Sequence, residues 1–174
     1  MIKKILLIIA SRGFQPVEYG DTKSELETAG LEVITGGDKV GEATGKDGVT
    51  KVKVTVALEA MTADDYDGLY FIGGPGALPH LDNETSYRLL RVWAAETDKP
   101  YGAICISTRV LAKAGVLQGV EATGWNGDGE LPAILTQFGA KHLDKSVHTD
   151  GRVTTGRDPA AAREFGRTIA KQLK

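Results

Sequence analysis

Cys105 is the only cysteine of the chain, and it falls where an apolar run, Tyr101-Gly102-Ala103-Ile104, gives way to a helix-forming stretch. Small residues, Ala103 and Ser107, flank it two positions away on each side. A sharp strand-to-helix turn leaves room for only such neighbours and presents its central side chain outward, the steric logic of a nucleophile elbow. Free backbone N–H groups and the positive end of the helix dipole would favour a thiolate there, the reactive form of the side chain. The competing reading is a lone cysteine serving as a small, inert hydrophobe. These residues alone leave both open.

Other chemistry has weaker support. His80, His142 and His148 are scattered and lack a metal-ligand spacing such as H-E-x-x-H, so no metal site is expected. His80 lies close enough to a glycine turn to approach a pocket mouth, against the plainer reading of a solvated loop histidine. The turn itself, Gly73-Gly74-Pro75-Gly76, lacks the lysine and Ser/Thr of a phosphate loop, and its proline removes one donor. Gly124, Gly127 and Gly129 beside Trp125 read as a flexible loop rather than a nucleotide site.

The elements that must hold these residues alternate between strand and helix. Residues 5–9 form a continuous apolar run rich in β-branched side chains, as in a strand covered on both faces. Residues 17–29 read as a helix stopped by Gly30, and residues 31–35 as the next strand, together a βαβ unit. Val52, Val54 and Val56 alternate with Lys51, Lys53 and Thr55, which predicts a half-exposed antiparallel strand near a sheet edge. Residues 62–67 predict a short helical turn capped by Thr62, and residues 69–72 a buried strand running into the glycine turn. Residues 83–97 carry Leu89, Leu90, Trp93 and Ala94 on one helical stripe. Beyond the strand at 101–105, residues 107–114 and 131–138 read as helices, each followed by glycine. Residues 146–149 and 152–155 flank Asp150-Gly151, a hairpin signature. The last helix begins at Asp158-Pro159 and buries Phe165, Ile169 and Leu173. One α/β domain spanning residues 1–174 is expected, without linker or internal repeat.

Composition narrows the classes further. Hydrophobic residues make up 41% and charged residues 25% of the 174, and the net charge of −2 comes with no basic run, which argues against a nucleic-acid partner. The 22 glycines, about 13% of the chain against the usual ~7%, suit many tight turns. The apolar run at 5–10 is shorter than the roughly 7–15 residues of a signal core and far shorter than the ~20 of a membrane helix. A cytoplasmic protein with no membrane partner is therefore expected. A single cysteine, which allows no intrachain disulfide, is compatible with that compartment.

Five segments occur in one order: Phe14-Gln15-Pro16-Val17-Glu18, Ile72-Gly73-Gly74-Pro75-Gly76, Pro100-Tyr101-Gly102-Ala103-Ile104-Cys105, Ala114-Gly115-Val116-Leu117-Gln118-Gly119 and Thr155-Gly156-Arg157-Asp158-Pro159. The series resembles the PfpI/ThiJ superfamily, which includes intracellular-protease-like proteins and relatives of the Parkinson's-disease protein deglycase, across essentially the whole chain. The resemblance implies a flavodoxin-like three-layer α/β sandwich, with helices on both faces of a mostly parallel sheet, like class I glutamine amidotransferases. It implies Cys105 as nucleophile and Glu18 as its acid partner, where the plain reading of Glu18 is a solvated charge in a helix's first turn. It further implies the backbone N–H groups of Gly74 and Ile106 as an oxyanion hole, and Gly73, Ser107, Trp125 and Arg157 around the pocket. For Trp125 a place in the core or in a dimer contact stays open, and for Arg157 a surface ion pair.

The chain departs from the protease-like branch at Ile106, where that branch carries histidine, and at Ser107-Thr108, which replace a common glycine-containing pair. Isoleucine cannot act as a base. The resemblance thus points first to a cofactor-independent enzyme for small reactive carbonyls, glyoxalase-like or deglycase-like, whose partners are the small carbonyl or a glycated protein. A PfpI-type cysteine peptidase and a cysteine redox sensor or chaperone-like stress protein are the alternatives. Relatives of this kind suggest a homo-oligomer, a dimer or a multiple of dimers.

Overall fold

Ile5, Leu6, Leu7, Ile8 and Ile9 are all fully buried, and the computed structural model, which describes residues 1–174, shows why. In β1 (Lys4–Ile9) alternate side chains enter two separate cores, Leu6 and Ile8 on one face of a sheet, Ile5, Leu7 and Ile9 on the other. A strand clothed on both sides needs no polar alternation. Next come β2 (Arg12–Phe14), α1 (Pro16–Thr28) and β3 (Glu32–Gly37). Pro16 starts α1 where its missing N–H costs nothing, and Gln15 Oε1 accepts from the Val17 N–H at 2.8 Å as the cap.

The valine alternation at 52–56 belongs to two strands rather than one. β4 (Gly41–Gly45) pairs antiparallel with β5 (Lys51–Val54), and β2 joins β4 to make a separate three-stranded sheet. The chain then steps into the main sheet as β6 (Val56–Ala57), parallel to β3. Antiparallel pairing was expected; the second sheet was not. The turn at Ala63–Asp65 forms, but the Thr62 hydroxyl hydrogen-bonds the Asp65 carboxylate instead of capping the backbone.

β7 (Gly68–Phe71) leads through the glycine turn into α2 (Ala77–Leu81), a helix that Pro79 and His80 had concealed. α3 (Glu84–Glu96) is capped by Asn83, whose Oδ1 accepts from the Ser86 N–H at 3.2 Å. β8 (Tyr101–Ile104) and α4 (Thr108–Ala114) bracket the cysteine, and Gly115 closes α4 with φ 84°. Then follow β9 (Glu121–Ala122), α5 (Leu131–Gln137), β10 (Lys141–His142), β11 (Val147–Asp150), β12 (Val153–Gly156) and α6 (Ala162–Gln172). The hairpin is present, but Asp150 pairs with Val153, so its two-residue loop is Gly151-Arg152, one position later than expected.

The main sheet runs β11-β12-β8-β7-β1-β3-β6, and only β11 is antiparallel. Leu26 of α1 and Phe165 and Ile169 of α6 cover one face; Leu90 and Trp93 of α3, Leu111 of α4 and Leu135 of α5 cover the other. This is the three-layer, mostly parallel flavodoxin-like arrangement. Chain direction across the sheet reverses between β1 and β7, and the crevice outside the carboxyl ends at such a switch point is where open α/β sheets bind ligands. No helix is long and apolar enough to cross a membrane.

Candidate active site

Cys105 follows β8 directly and has φ 63°, the one non-glycine residue with positive φ. A left-handed cysteine costs roughly 1–2 kcal/mol, so its surroundings must enforce it. The Ser107 hydroxyl donates to the Ile72 carbonyl at 2.7 Å, tying the elbow to the end of β7. On the other flank the Trp125 N–H donates to the Cys105 carbonyl at 3.1 Å. The turn holds the side chain at a pocket wall with 8% of the residue exposed.

The glycine turn is sterically compulsory. A Cβ on Gly73 would sit 2.7 Å from the Cys105 Cβ and 2.8 Å from Glu18 Oε2; one on Gly74, where φ is 113°, would lie 2.5 Å from both Gln15 N and Gly13 O. With no side chains there, the Gly73 N–H donates to Glu18 Oε2 at 2.9 Å, and the Gly74 and Ile106 N–H groups lie where they favour the anionic form of the Cys105 thiol. The two residues expected to supply oxyanion donors thus line the same pocket as the cysteine.

Glu18, in the first turn of α1, is fully buried rather than solvated. Burial pushes its carboxyl up to about 7, against the lowering effects of its contacts with Cys105 and the Gly73 N–H; Asp158 adds to the rise and Lys46 opposes it. Its Oε1 has no partner in good hydrogen-bond geometry, and the thiol is the side chain with which the carboxyl interacts. The thiol is also displaced upward, contrary to the thiolate expected at a helix start. Burial is the main cause, followed by the charge of the Glu18 carboxylate; the N–H groups of Ile106 and Gly74 pull the other way. The charge of one group therefore bears on the proton affinity of the other, and the two titrate as a coupled pair. Once Glu18 holds a proton, its charge no longer opposes a thiolate.

The pocket beside this pair has a volume of about 340 Å³. Cys105, Glu18, Gly74, Ile106 and Trp125 line it as anticipated. Gly73 lies behind the pair, and Ser107, fully buried, braces the elbow, so neither forms the wall. Arg157 stands outside, its guanidinium 3.1 Å from Asp158 and 3.3 Å from Asp144, the surface ion pair that was the plainer reading. His80 pairs with Asp38 at 3.4 Å, and no histidine lines the pocket.

Gln15, Lys46, Pro75 and Pro159 complete the wall and were not anticipated. Only Gln15 carried a signal, being the residue before a helix-starting proline. Another unforeseen residue is Arg109 on α4, 4% exposed, which lies 5.5 Å from the Trp125 ring centroid and holds Asp128 at 2.7 Å. It fixes the loop that carries the indole.

A cysteine at a strained elbow, a buried carboxyl and two converging N–H groups at a sheet switch point define a cysteine-centred α/β site. The family model described as DJ-1/PfpI matches residues 3–172, and the chain belongs to that family. It is 33% identical over 171 residues to an uncharacterized protein of Methanocaldococcus jannaschii, covering 98% of this chain and 82% of the relative. An uncharacterized protein of Staphylococcus aureus is 33% identical over 177 residues, with 100% of both chains covered. Among solved structures, the fold is similar to a ThiJ/PfpI domain protein from Brachyspira murdochii (TM-score 0.90, 22% identity, 99% of this chain and 96% of that one). Drosophila melanogaster DJ-1beta superposes with a TM-score of 0.83 at 28% identity, over 99% and 91% of the two chains.

Proposed function

We propose that this protein is a cysteine-dependent, cofactor-independent enzyme acting on small reactive carbonyls. The observation that carries the reading is the buried Glu18 carboxyl, raised to about 7, lining one pocket with Cys105, Gly74 and Ile106. A proton held on Glu18 leaves Cys105 as thiolate in a small fraction of molecules, and the attack drains that fraction.

For methylglyoxal the steps balance without an oxidant. The sulfur forms a bond to the aldehyde carbon, the carbonyl π pair moves onto oxygen beneath the Gly74 and Ile106 N–H groups, and Glu18 delivers its proton to that oxygen. The resulting hemithioacetal loses its C1 proton to the Glu18 carboxylate, giving an enediol; the same proton is returned at C2 while the C1 hydroxyl proton passes to the C2 oxygen, leaving a lactoyl thioester. Water adds to the thioester and the C–S bond breaks, releasing lactate and the thiol. Deglycation of an early protein adduct shares the first steps. Peptide hydrolysis is less well supported, because Ile106 replaces the branch's histidine and no other histidine reaches the sulfur.

The test is methylglyoxal consumption with product identification for wild type, Cys105→Ala and Glu18→Gln. Both variants are expected to lose at least about a hundredfold in kcat/KM, the usual scale for removing a nucleophile or a general acid–base group. Full turnover by Cys105→Ala would remove the sulfur from the chemistry and end the proposal.

A further inference from the structure

Beside the cysteine pocket lies a second groove, about 430 Å³, on the three-stranded sheet, and it has no hydrophobic or acidic residue in its wall. Its construction follows from register. Arg12 of β2 stands opposite Thr44 of β4, and Thr44 stands opposite Lys51 of β5, so the three side chains share one face of the sheet. Lys51 Nζ donates to the Thr44 hydroxyl at 2.8 Å, which aims the ammonium along that row, while Glu42 at 3.6 Å is an exposed partner outside the wall. Arg12 and Lys46 have no ion-pair or side-chain hydrogen-bond partner. Lys46 and Pro75 line both the groove and the cysteine pocket, making the two continuous.

We propose that this groove is an oxyanion subsite, taking a phosphate monoester or carboxylate group of a substrate whose carbonyl lies at Cys105. The substrate class rests on the carbonyl reading given above; the subsite itself does not. Arg12 and Lys46 face this wall without a counter-charge and Lys51 has only the exposed Glu42, so a tetrahedral or planar oxyanion would supply the missing negative charge through charge-assisted hydrogen bonds. A neutral dicarbonyl such as methylglyoxal would fill the inner pocket and leave this wall unused. An anionic tail would pass Lys46, which is near enough to Glu18 for its charge to be felt there.

The probe is inorganic phosphate, titrated into the full-length protein and followed by backbone amide NMR shifts. Saturable shifts at Gly13, Gly45 and Gly48 are expected, with affinity reduced about a hundredfold in Arg12→Gln/Lys51→Gln, roughly tenfold for each cation. Both residues are exposed, and Arg12→Lys/Lys51→Arg should restore binding. Non-saturating shifts, or affinity unchanged in the glutamine variant, would overturn the subsite. A second arm compares kcat/KM for glyceraldehyde 3-phosphate with that for glyceraldehyde. A phosphate preference that collapses in the glutamine variant supports the joined sites. Phosphate binding without turnover of either aldehyde would support the subsite and sink the carbonyl reading. Turnover of both aldehydes at equal efficiency, without phosphate binding, would sink the subsite and leave the carbonyl reading standing.

Discussion

Replacing Glu18 with glutamine should make the protein more stable at pH 8 while removing its activity. Glutamine matches glutamate in shape, can still accept from the Gly73 N–H at 2.9 Å, and can offer its own N–H toward Cys105. What it lacks is the charge. A carboxyl moved from 4.5 to about 7 by burial makes the ionised native state less stable by about 3 kcal/mol, at ~1.4 kcal/mol per tenfold change in proton affinity. Between those two values the folded protein binds more protons than the unfolded chain, so wild-type stability falls as pH rises through this window. The full contribution is present below 4.5 and is gone above about 7. Urea unfolding of wild type and Glu18→Gln from pH 5 to pH 8, below the ordinary thiol range, measures the divergence directly. The gap between the two should widen in favour of the variant by about 2.5 kcal/mol over this range, or roughly 7 °C in melting temperature for a chain of this size. Parallel pH curves would mean that Glu18 is ionised at neutral pH in both states, and the raised carboxyl would have to be abandoned.

Gly74→Ala should destabilise the fold by more than ~3 kcal/mol in urea, since it combines a backbone conformation open mainly to glycine with overlap on three main-chain atoms. Unchanged stability would show that the turn can relax. Arg109→Met should free the Trp125 loop, giving red-shifted tryptophan emission against the constant background of fully buried Trp93, and should raise KM more than it lowers kcat. An emission maximum identical to wild type would show that the indole is positioned by other contacts.

The βαβ start, the long amphipathic α3, the hairpin and the final helix were legible because each has its own period and punctuation, from the apolar run at 5–9 to the Asp158-Pro159 cap. The elbow was legible for the same reason: small residues two positions either side of Cys105 are a local steric signature. The three-stranded sheet was not. β4 reads Gly-Glu-Ala-Thr-Gly and β2 only Arg-Gly-Phe, too short and too poor in β-branched side chains to announce strands, and their pairing is set by partners elsewhere in the chain. Lys46, on a turn, and Pro159, at the start of a short 3-10 helix, enter the pocket from segments more than a hundred residues apart, which no local pattern records. Ser107 was read as pocket wall because it adjoins the cysteine, yet its side chain points back to the Ile72 carbonyl. Adjacency along the chain does not give direction at a turn.

The cysteine pocket is stitched from positions as far apart as Gln15 and Pro159, with contributions from residue 46, residues 74–75, residues 105–106 and residue 125. No contiguous half of the polypeptide contains it. A partly assembled chain would carry the sulfur without its acid or its N–H donors, leaving an ordinary thiol. Catalytic titre would then count completely folded molecules, and refolding followed by activity should lag behind the recovery of helix signal.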